Sequence, residues 1–346
     1  MSQHPFEVIR KPRTDDRPLW DIMCGIWGYP AVLVAHELKL FALLADKPLS
    51  LEEVCAAKNL ARRPAHTLLA VATALGLLRL SDGRYALTPL AEDYLLEDSP
   101  TYFGGAFDGI LGSYSVWSPA SLKQAVLTDA PQGPFAGAED PFKASGWQAE
   151  QARGFTRWMH GESMAPALAW PDMVDLAPHR VMLDVGGGSG AHCIGALRRW
   201  PHLRAVVLDA PAVCEVAQGF AVQYGLQERL STTGGDFWTD PFPPADLHFY
   251  GMIFHDWPPE KCRFLARKSF GALEPGGRIV VHEMLFNEER TGPFAVAASN
   301  VAMLIGVQGQ QYSGKEISAM LSEAGFTDIE VKPTFGYWSI VTGRKP

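Results

Sequence analysis

The sequence has little of what marks a nucleic-acid-binding or disulfide-stabilised protein. Its 346 residues carry 30 Lys and Arg against 38 Asp and Glu, a net charge of −8. A protein that neutralises phosphates should be basic, so we predict no nucleic-acid partner. The five cysteines form no Cys-x-x-Cys pair, which argues against a disulfide framework or a zinc ribbon and favours a reducing cytoplasm.

Segments that direct a chain to a membrane are also missing from the sequence pattern. The first twenty residues are polar and lack the apolar segment of a signal peptide. The longest apolar stretch, Thr67 to Leu80, is too short to cross a hydrocarbon core of ~30 Å. We therefore expect a cytoplasmic protein without a membrane partner. Hydrophobic residues make up 47% of the chain, which is enough for a large core, and the length predicts two or three domains.

The first half of the chain is predicted to be helical. Apolar residues follow helical spacing from Asp21 to Leu44, with breaks expected at Gly28 and Pro30. This segment is more apolar than a solvated helix should be. We therefore expect it to pair two copies of the chain in a homodimer.

The next segments predict a winged helix. Ser50 and Glu53 have the spacing of a capping box that starts one helix, and a second helix is predicted from Arg62 to Leu75. The stretch from Leu77 to Leu87 has a central Asp-Gly dipeptide, which is typical of a β-hairpin turn. Helix, turn, helix and hairpin follow one another in the order of a winged helix.

The second half predicts an α/β fold. Strand-like runs alternate with helical stretches, which indicates a parallel sheet covered by helices on both faces. The predicted strands are Arg180 to Val185, Ala205 to Leu208, Leu247 to Met252 and Arg278 to His282. Two further strands, Phe326 to Lys332 and Tyr337 to Thr342, predict an antiparallel hairpin that closes the sheet.

A glycine-rich turn follows the first of these strands, in the run from Leu183 to Gly190. Backbone at Gly186 and Gly188 can approach a ligand closely, and such a loop at the carboxyl edge of a parallel strand holds nucleotides. We include Asp184 in this predicted cofactor site. Asp209 ends the next strand, where a carboxylate can accept two ribose hydroxyls. These features fit NAD and S-adenosylmethionine equally well.

Later features favour S-adenosylmethionine. Asp236 and Phe237 follow the third strand candidate, where a carboxylate can accept an adenine amino group and a phenyl ring can pack on the base. The run from Leu273 to Val281 is a helix end, turn and strand common in methyltransferases, and the closing hairpin supplies their seventh strand. The acidic balance also suits a sulfonium cation. We therefore predict a Rossmann-like, seven-stranded class I methyltransferase sheet.

The chain resembles a specific family at the run from Met252 to Cys262, which contains His255-Asp256-Trp257. It is similar over nearly its whole length to the plant-type small-molecule O-methyltransferases and their bacterial relatives, such as the polyketide and hydroxyneurosporene methyltransferases. The resemblance implies that His255 is the general base and that Glu283, 28 residues later, is its partner. An imidazole can take a proton from an attacking hydroxyl, while a carboxylate fixes its tautomer.

The resemblance also implies a substrate pocket. The stretch from Phe155 to Ser163 resembles the family's pocket-crossing helix. Phe155 and Met159 would then line the methyl-transfer site, and Ser163 would bind the carboxylate end of the cofactor. The remaining pocket residues that we predict are Trp117, Trp158, Phe254, Asp256, Asn300 and Met303.

Two positions depart from the family pattern. Plant members have a lysine four residues before the histidine, where this chain has Gly251. Many members have a second catalytic glutamate before the last helix, where this chain has Gln311. We place Gln311 among the catalytic residues because it can hold a substrate, although it cannot share charge with His255.

Taken with the resemblance, these features predict two domains. Residues 1–165 form a helical, winged-helix-like dimerisation and pocket domain, and residues 166–346 form the domain that binds S-adenosylmethionine. The predicted reaction is methylation of a hydroxyl on an aromatic or polyketide-like small molecule.

Three alternatives stay open. A winged helix can bind DNA, but residues 51–98 carry seven acidic and five basic residues, the reverse of what phosphate binding needs. Relatives that methylate carbon or nitrogen, some on 2-oxo acids, bind a metal through a His-Asp pair and a distant histidine. His255-Asp256 resembles that pair, but the segment from Leu304 to Gly314 contains no histidine, so we predict no metal. A relative that binds the cofactor without transferring its methyl group is the third alternative.

Overall fold

The computed structural model describes residues 12–132, 136, 142 and 149–346. Contacts divide the chain into two compact units, Met1–Ser99 and Pro100–Pro346. The boundary differs from the predicted one at 165/166, which falls inside the continuous helix Ala149–Ala169. That helix packs against other elements of the second unit and therefore belongs to it as a whole.

The first unit begins with a long helix, α1 (Arg17–Glu37), and a short one, α2 (Leu40–Leu43). Contrary to the predicted breaks, α1 continues through Gly28 and Pro30. A side chain on Gly28 would meet no atom within 4 Å, so no close contact explains the glycine at this position. The helix ends instead at Glu37, shortly before Lys39. Lys39 has a left-handed φ of 54°, and a right-handed helix cannot continue through that conformation.

The predicted winged-helix order is present in this unit. The strand β1 (Leu49–Ser50) leads into α3 (Leu51–Lys58), where Ser50 and Glu53 form the predicted capping box. Then follow α4 (Arg62–Ala74), β2 (Leu78–Ser81), β3 (Arg84–Leu87) and α5 (Pro89–Tyr94). Asp82 and Gly83 both have positive φ at the hairpin turn, as an Asp-Gly turn of this kind requires. The three strands pair in the order β1-β3-β2.

One face of α1 is apolar and exposed within its unit. Its exposed apolar side chains are Leu19, Trp20, Ile22, Met23, Ile26, Trp27, Tyr29 and Val34. By length and composition alone α1 could also cross a membrane, although it lies outside the apolar stretch singled out in the sequence. A contiguous apolar face of this size on a helix marks an interaction surface.

The second unit contains a seven-stranded sheet. Its strands pair in the order β6-β5-β4-β7-β8-β10-β9, and only β10 runs antiparallel to its neighbours. Their bounds are β4 Val181–Val185, β5 Arg204–Asp209, β6 Leu230–Gly234, β7 Leu247–Gly251, β8 Arg278–Met284, β9 Thr327–Pro333 and β10 Trp338–Arg344. The central strands are apolar and buried on both faces, as parallel strands covered by helices must be. The predicted fold class is therefore confirmed.

Helices cover the sheet and rise above its carboxyl edge. Those that follow the strands are α9 (Ala191–Arg199), α10 (Pro211–Gln223), α11 (Pro259–Ala272) and α13 (Gly314–Ala324). Three others stand near the edge itself: α6 (Gly104–Ser113), α8 (Ala149–Ala169) and α12 (Phe294–Gly306), with α7 (Pro119–Thr128) packed on α12. Because β4, β5, β7 and β8 are parallel, the loops after all four meet at one edge, which is where α/β sheets bind ligands.

Candidate active site

A cavity of about 1040 Å³ lies at the carboxyl edge of the sheet. Strand ends and the glycine loop form its floor, and side chains from α6, α8 and α12 form its walls. The predicted site residues that line it are Trp117, Phe155, Trp158, Met159, Ser163, Gly186, Gly188, Asp209, Asp236, Phe237, His255, Asp256, Met303 and Gln311. The fold thus brings together residues that lie up to 194 positions apart in the chain.

The glycine loop after β4 presents bare backbone to this cavity. Gly186 has a φ of 68°, and a Cβ there would stand 2.4 Å from Cδ1 of Ile253, so another residue would be strained and would displace Ile253. Gly188 has a φ of 56°, and a Cβ there would meet no atom within 4 Å. The backbone at Gly188 therefore leaves open the space that a side chain would take from a ligand.

Asp209, at the end of β5, faces the loop. Its Oδ2 accepts a hydrogen bond from the Gly188 N–H at 2.9 Å, and its Oδ1 accepts one from the Ala210 N–H at 2.7 Å. Burial raises the pKa of Asp209 to about 6, while these two N–H donors oppose the rise. The carboxylate is consequently ionised at neutral pH and can accept hydrogen bonds from hydroxyl groups in the cavity.

Asp236 and Phe237 lie on a turn after β6. Asp236 accepts hydrogen bonds from the Trp238 N–H at 3.0 Å and the Thr239 hydroxyl at 3.1 Å. These bonds fix the turn and leave the side chains of Asp236 and Phe237 at the cavity wall. A carboxylate beside an aromatic ring is suited to a flat nitrogen heterocycle.

His255 lies in a short turn after β7, and Glu283 lies at the end of the neighbouring strand β8. Nδ1 of His255 is 2.8 Å from Oε2 of Glu283. The other oxygen of Glu283 accepts hydrogen bonds from the backbone N–H groups of Ile253 at 3.1 Å and Phe254 at 3.0 Å. Glu283 is thus held from both sides, and it holds Nδ1 of the imidazole in turn.

The charges around His255 favour its protonated form. Burial alone would lower its pKa, but the carboxylates of Glu283 and Asp256 outweigh this and raise the pKa to about 9. Asp256 Oδ1 lies 3.4 Å from Nε2. Gln311 is also close, with its Nε2 at 3.3 Å from Nδ1 of His255. The geometry provides one titratable imidazole among carboxylates at the cavity wall.

One face of α8 lines the cavity. Phe155, Trp158, Met159, Glu162 and Ser163 follow the spacing of a single helical face, and all five reach the cavity. Glu162 was not among the predicted site residues. The signal that could have found it is a carboxylate at the position where an otherwise apolar helical stripe continues.

Four predicted site residues do not line the cavity, and for three of them the structure corrects the predicted placement. Asp184 is buried beneath the glycine loop, where it accepts a hydrogen bond from the Cys193 thiol at 3.3 Å. Phe254 is fully buried and packs edge-on against Tyr250. Asn300 accepts the backbone N–H of Gln311 at 2.8 Å and so fixes the segment that carries Gln311.

Glu283 also lies outside the cavity wall, behind His255. This placement suits the predicted role, because a residue that orients the imidazole needs no contact with a ligand. It stays a prediction, as do the roles assigned to the other site residues.

Gly251 is explained by its neighbour. A Cβ at Gly251 would stand 2.6 Å from Cδ2 of His192, whose ring fills the space beside β7. Burial lowers the pKa of His192 to about 3, so its ring is neutral. The imidazole of His192 therefore occupies the room that a lysine side chain at Gly251 would need.

Metal ligands do not gather anywhere in the described part of the chain. No group of three His, Cys, Asp or Glu side chains in it has the arrangement of a metal site. His255 and Asp256 therefore have no third ligand among the described residues.

Two family models match the sequence. The model of an O-methyltransferase domain matches residues 120–327, and the model of an O-methyltransferase dimerisation domain matches residues 20–97. The second match contains most of α1 and the winged-helix elements, and the first contains the cavity-lining elements from α8 to α12.

Individual relatives match over almost the whole chain. The 3-hydroxy-5-methyl-1-naphthoate 3-O-methyltransferase of Streptomyces sahachiroi is 33% identical over 90% of this chain and 89% of its own. The tetracenomycin polyketide synthesis 8-O-methyl transferase TcmO of Streptomyces glaucescens is also 33% identical, over 97% of this chain and 99% of its own. The crystal structure of human N-acetylserotonin methyltransferase in complex with S-adenosylmethionine superimposes with a TM-score of 0.84 at 28% identity, covering 97% and 99%.

The residues at the cavity floor fit this cofactor. S-adenosylmethionine supplies a methyl group on a sulfonium cation, together with ribose hydroxyls and an adenine ring. The open backbone at Gly188, the ionised Asp209 and the Asp236-Phe237 turn offer matching partners. With these matches over most of its length, the chain belongs to the S-adenosylmethionine-dependent O-methyltransferases that carry an N-terminal dimerisation domain.

Proposed function

We propose that the protein methylates a hydroxyl group on an aromatic, polyketide-like small molecule and that His255 removes the hydroxyl proton. The observation that carries this proposal is the position of His255 at the wall of an aromatic-lined cavity, with Glu283 paired to it from behind. The pair supplies a base, and the cavity supplies a place for the acceptor.

The acceptor class is argued from the walls of the cavity. Trp117, Phe155, Trp158 and Trp338 present aromatic surface to it, and such surface favours flat, apolar molecules. The names of the two bacterial relatives refer to a hydroxynaphthoate and to tetracenomycin polyketide synthesis. A fused-ring phenol agrees with both lines of support.

The proton transfer is argued from the two ring nitrogens of His255. Glu283 lies 2.8 Å from Nδ1, whereas Asp256 lies 3.4 Å from Nε2, so Nε2 is the less tightly engaged nitrogen and the one that would accept a proton from the acceptor. With a pKa raised to about 9, His255 holds a proton at neutral pH in the empty cavity. A cation bound in the same cavity lowers that pKa, because like charges disfavour the protonated form. Binding of the sulfonium cofactor would thus shift His255 towards the neutral form that can act as a base.

The same cavity suggests how the cofactor is held. Asp209 would accept the ribose hydroxyls, and Asp236 with Phe237 would contact the adenine. Gly186 and Gly188 would allow the backbone to approach. Ser163, which lines the cavity from α8, would bind the carboxylate end of the cofactor.

The assembly is also a proposal. The exposed apolar face of α1 lies mostly within the segment that matches the dimerisation model. We propose a homodimer in which this face is covered by a second copy of the chain, and we expect the dimer in the cytoplasm, with a small molecule as its substrate.

The experiment is a methylation screen with purified protein, S-adenosylmethionine and three acceptor classes: phenols, fused-ring polyketide aromatics and 2-oxo acids. Product masses and fragmentation identify the methylated atom. We expect methyl ethers of the aromatic acceptors, formed equally well in the presence of a metal chelator. Methylation confined to carbon or nitrogen, or activity abolished by the chelator, would contradict the proposal.

A further inference from the structure

A carboxylate that the proposed reaction does not use stands among the aromatic walls of the cavity. Glu162 lies on α8, one turn beyond Trp158 and Met159, and lines the same cavity as His255. Burying a carboxylate against aromatic rings costs free energy unless the group is paired. We therefore expect the Glu162 carboxylate to have a hydrogen-bond partner.

Trp158 is one hydrogen-bond partner of Glu162. The indole Nε1–H of Trp158 donates a hydrogen bond to Oε1 of Glu162 at 2.6 Å. Among the described residues this is the hydrogen bond that the carboxylate accepts, and it engages one oxygen of the two. The second oxygen retains its capacity to accept a hydrogen bond from a molecule in the cavity.

The tryptophan that holds Glu162 is itself fixed. Gly109 on α6 lies under the indole, and a Cβ there would stand 2.4 Å from Cδ2 of Trp158. The ring of Phe155 packs edge-on against the indole, with centroids 5.7 Å apart. Because Trp158 is held on both sides, the direction of the Glu162 carboxylate is preset, as recognition of a particular substituent requires.

The charges that line the cavity also favour a hydrogen-bond donor near Glu162. Carboxylates line it at Asp108, Glu162, Asp209, Asp236 and Asp256, whereas Arg157 contributes the one guanidinium among the described lining residues. Burial raises the pKa of Glu162 above its ordinary value, and the smaller opposing effects of the Trp158 hydrogen bond and the nearby charge of His255 favour its ionised form. A methyl acceptor that carries a hydrogen-bond donor would satisfy the second oxygen of Glu162. A methyl acceptor that carries a carboxylate would add another negative charge to the cavity.

We propose that Glu162 is a specificity-determining residue, which selects aromatic acceptors that carry a second hydrogen-bond donor beside the methylated hydroxyl and disfavours acceptors that carry a carboxylate there. The inference rests on the proposed function, because it assumes an aromatic hydroxyl acceptor. The shared chemistry of the selected substituent is an O–H or N–H donor, either a second hydroxyl or an ammonium group.

The test measures acceptor binding separately from turnover. Calorimetry on the full-length protein loaded with S-adenosylhomocysteine gives dissociation constants for a naphthol and for the corresponding vicinal naphthalenediol, aminomethylnaphthol and hydroxynaphthoate. We expect the wild-type protein to bind a donor-bearing compound about tenfold more tightly than the naphthol, since a hydrogen bond to a charged group has roughly this effect. The diol and the aminomethyl compound show which donor is preferred.

Two substitutions, Glu162→Gln and Glu162→Asp, separate the effect of the charge of Glu162 from the effect of its side-chain length. Glu162→Gln keeps an oxygen for Trp158 but removes the charge, so the preference for the donor should fall severalfold and the hydroxynaphthoate should bind about tenfold more tightly. Glu162→Asp keeps the charge on a shorter arm, so the hydroxynaphthoate should stay weak while the donor preference is lost. Glu150→Gln makes the same change at the exposed start of α8, outside the cavity lining, and should change neither ratio.

Unchanged ratios in Glu162→Gln would overturn the inference. So would an equal loss of turnover on every acceptor accompanied by a shifted pH profile, because Glu162 would then act through His255. Methylation of the same four compounds is measured in parallel. If the ratios change as expected but the wild-type protein methylates none of the compounds, the inference about Glu162 stands and the proposed function fails.

Discussion

Nδ1 of His255 lies 2.8 Å from Oε2 of Glu283, although the two residues are 28 positions apart. The contact exists because β7 and β8 are adjacent parallel strands, so that their carboxyl ends bring both residues to the same edge. Two backbone N–H groups hold the other oxygen of Glu283. The pair therefore forms a preset unit, and its proposed catalytic role can be tested at each member.

Replacement of His255 by alanine should remove the base. General-base assistance is typically worth about 10²–10⁴-fold, so turnover of a phenolic acceptor by His255→Ala should fall by about that factor. Affinity for the uncharged product S-adenosylhomocysteine should change little, because the partners proposed for the ribose and the adenine, Asp209 and Asp236, are unchanged. Steady-state kinetics and calorimetric titration with S-adenosylhomocysteine check the two parts. Undiminished turnover would show that positioning alone drives transfer.

Replacement of Glu283 by glutamine should shift the pH profile. Removing the carboxylate removes a charge that raises the pKa of His255, so that pKa falls from its value of about 9. Neutral His255 then predominates at lower pH, and the rising limb of the rate profile should move to lower pH. The maximal rate should fall less than in His255→Ala, because the base is still present. A limb that stays in place would separate Glu283 from the titration of His255.

Much of the fold was predictable because local patterns and tertiary packing agree. The glycine run after a buried strand, the Asp-Gly hairpin and the Ser50-Glu53 capping box each specify one local geometry, and the structure contains all three. The long helix α1 was predicted less well. Gly28 and Pro30 each weaken a helix locally. The helical residues before and after them nevertheless keep α1 continuous from Arg17 to Glu37.

The site was predictable in outline but not in depth. Strand ends placed His255, Glu283 and Asp209 correctly at one edge, because parallel topology determines that arrangement. Sequence alone could not distinguish a side chain that enters the cavity from one that lies behind it. Phe254 turns into the core next to His255, whereas Glu162 turns into the cavity. A rotation of about 100° per residue along a helix or turn decides such cases.

Replacement of Asp209 by asparagine should weaken cofactor binding. The carboxylate is ionised at neutral pH and held by two N–H groups, so each hydrogen bond to a ribose hydroxyl should contribute roughly 1.5–3 kcal/mol. Calorimetry should show S-adenosylmethionine affinity lower by at least tenfold in Asp209→Asn. Glu228→Gln changes an exposed acid in the turn before β6, outside the cavity lining, and this variant should bind like the wild type. Equal affinity in both variants would mean that Asp209 does not hold the ribose.

A charge on the exposed face of α1 should separate the proposed homodimer. Trp27 is 60% exposed within its unit, and placing a carboxylate there would bury an unpaired charge in the dimer. Light scattering at micromolar concentration should give about twice the 37.8 kDa chain mass for the wild type and the single-chain mass for Trp27→Asp. Val222→Asp, which changes an exposed apolar residue of α10, should stay dimeric. A wild-type species of 37.8 kDa would contradict the dimer itself.

Replacement of Gln311 by glutamate would give His255 a second carboxylate on the Nδ1 side. Nε2 of Gln311 lies 3.3 Å from Nδ1, and the side chain is buried. A negative charge there raises the pKa of His255 further, so the rising limb of the rate profile should move to higher pH and turnover at neutral pH should fall. At high pH, where His255 is neutral in both proteins, the added charge stabilises the imidazolium formed during proton transfer. The variant should then gain most on weakly acidic phenols, which depend most on the base.

Rates for two phenols of different acidity, measured across pH in the wild type and in Gln311→Glu, check both effects. Gln223→Glu, at the exposed end of α10, makes the same change in net charge outside the cavity lining and should leave the profile unchanged. If Gln311→Glu shifts neither the limb nor the relative rates of the two phenols, the charge beside Nδ1 does not control the base.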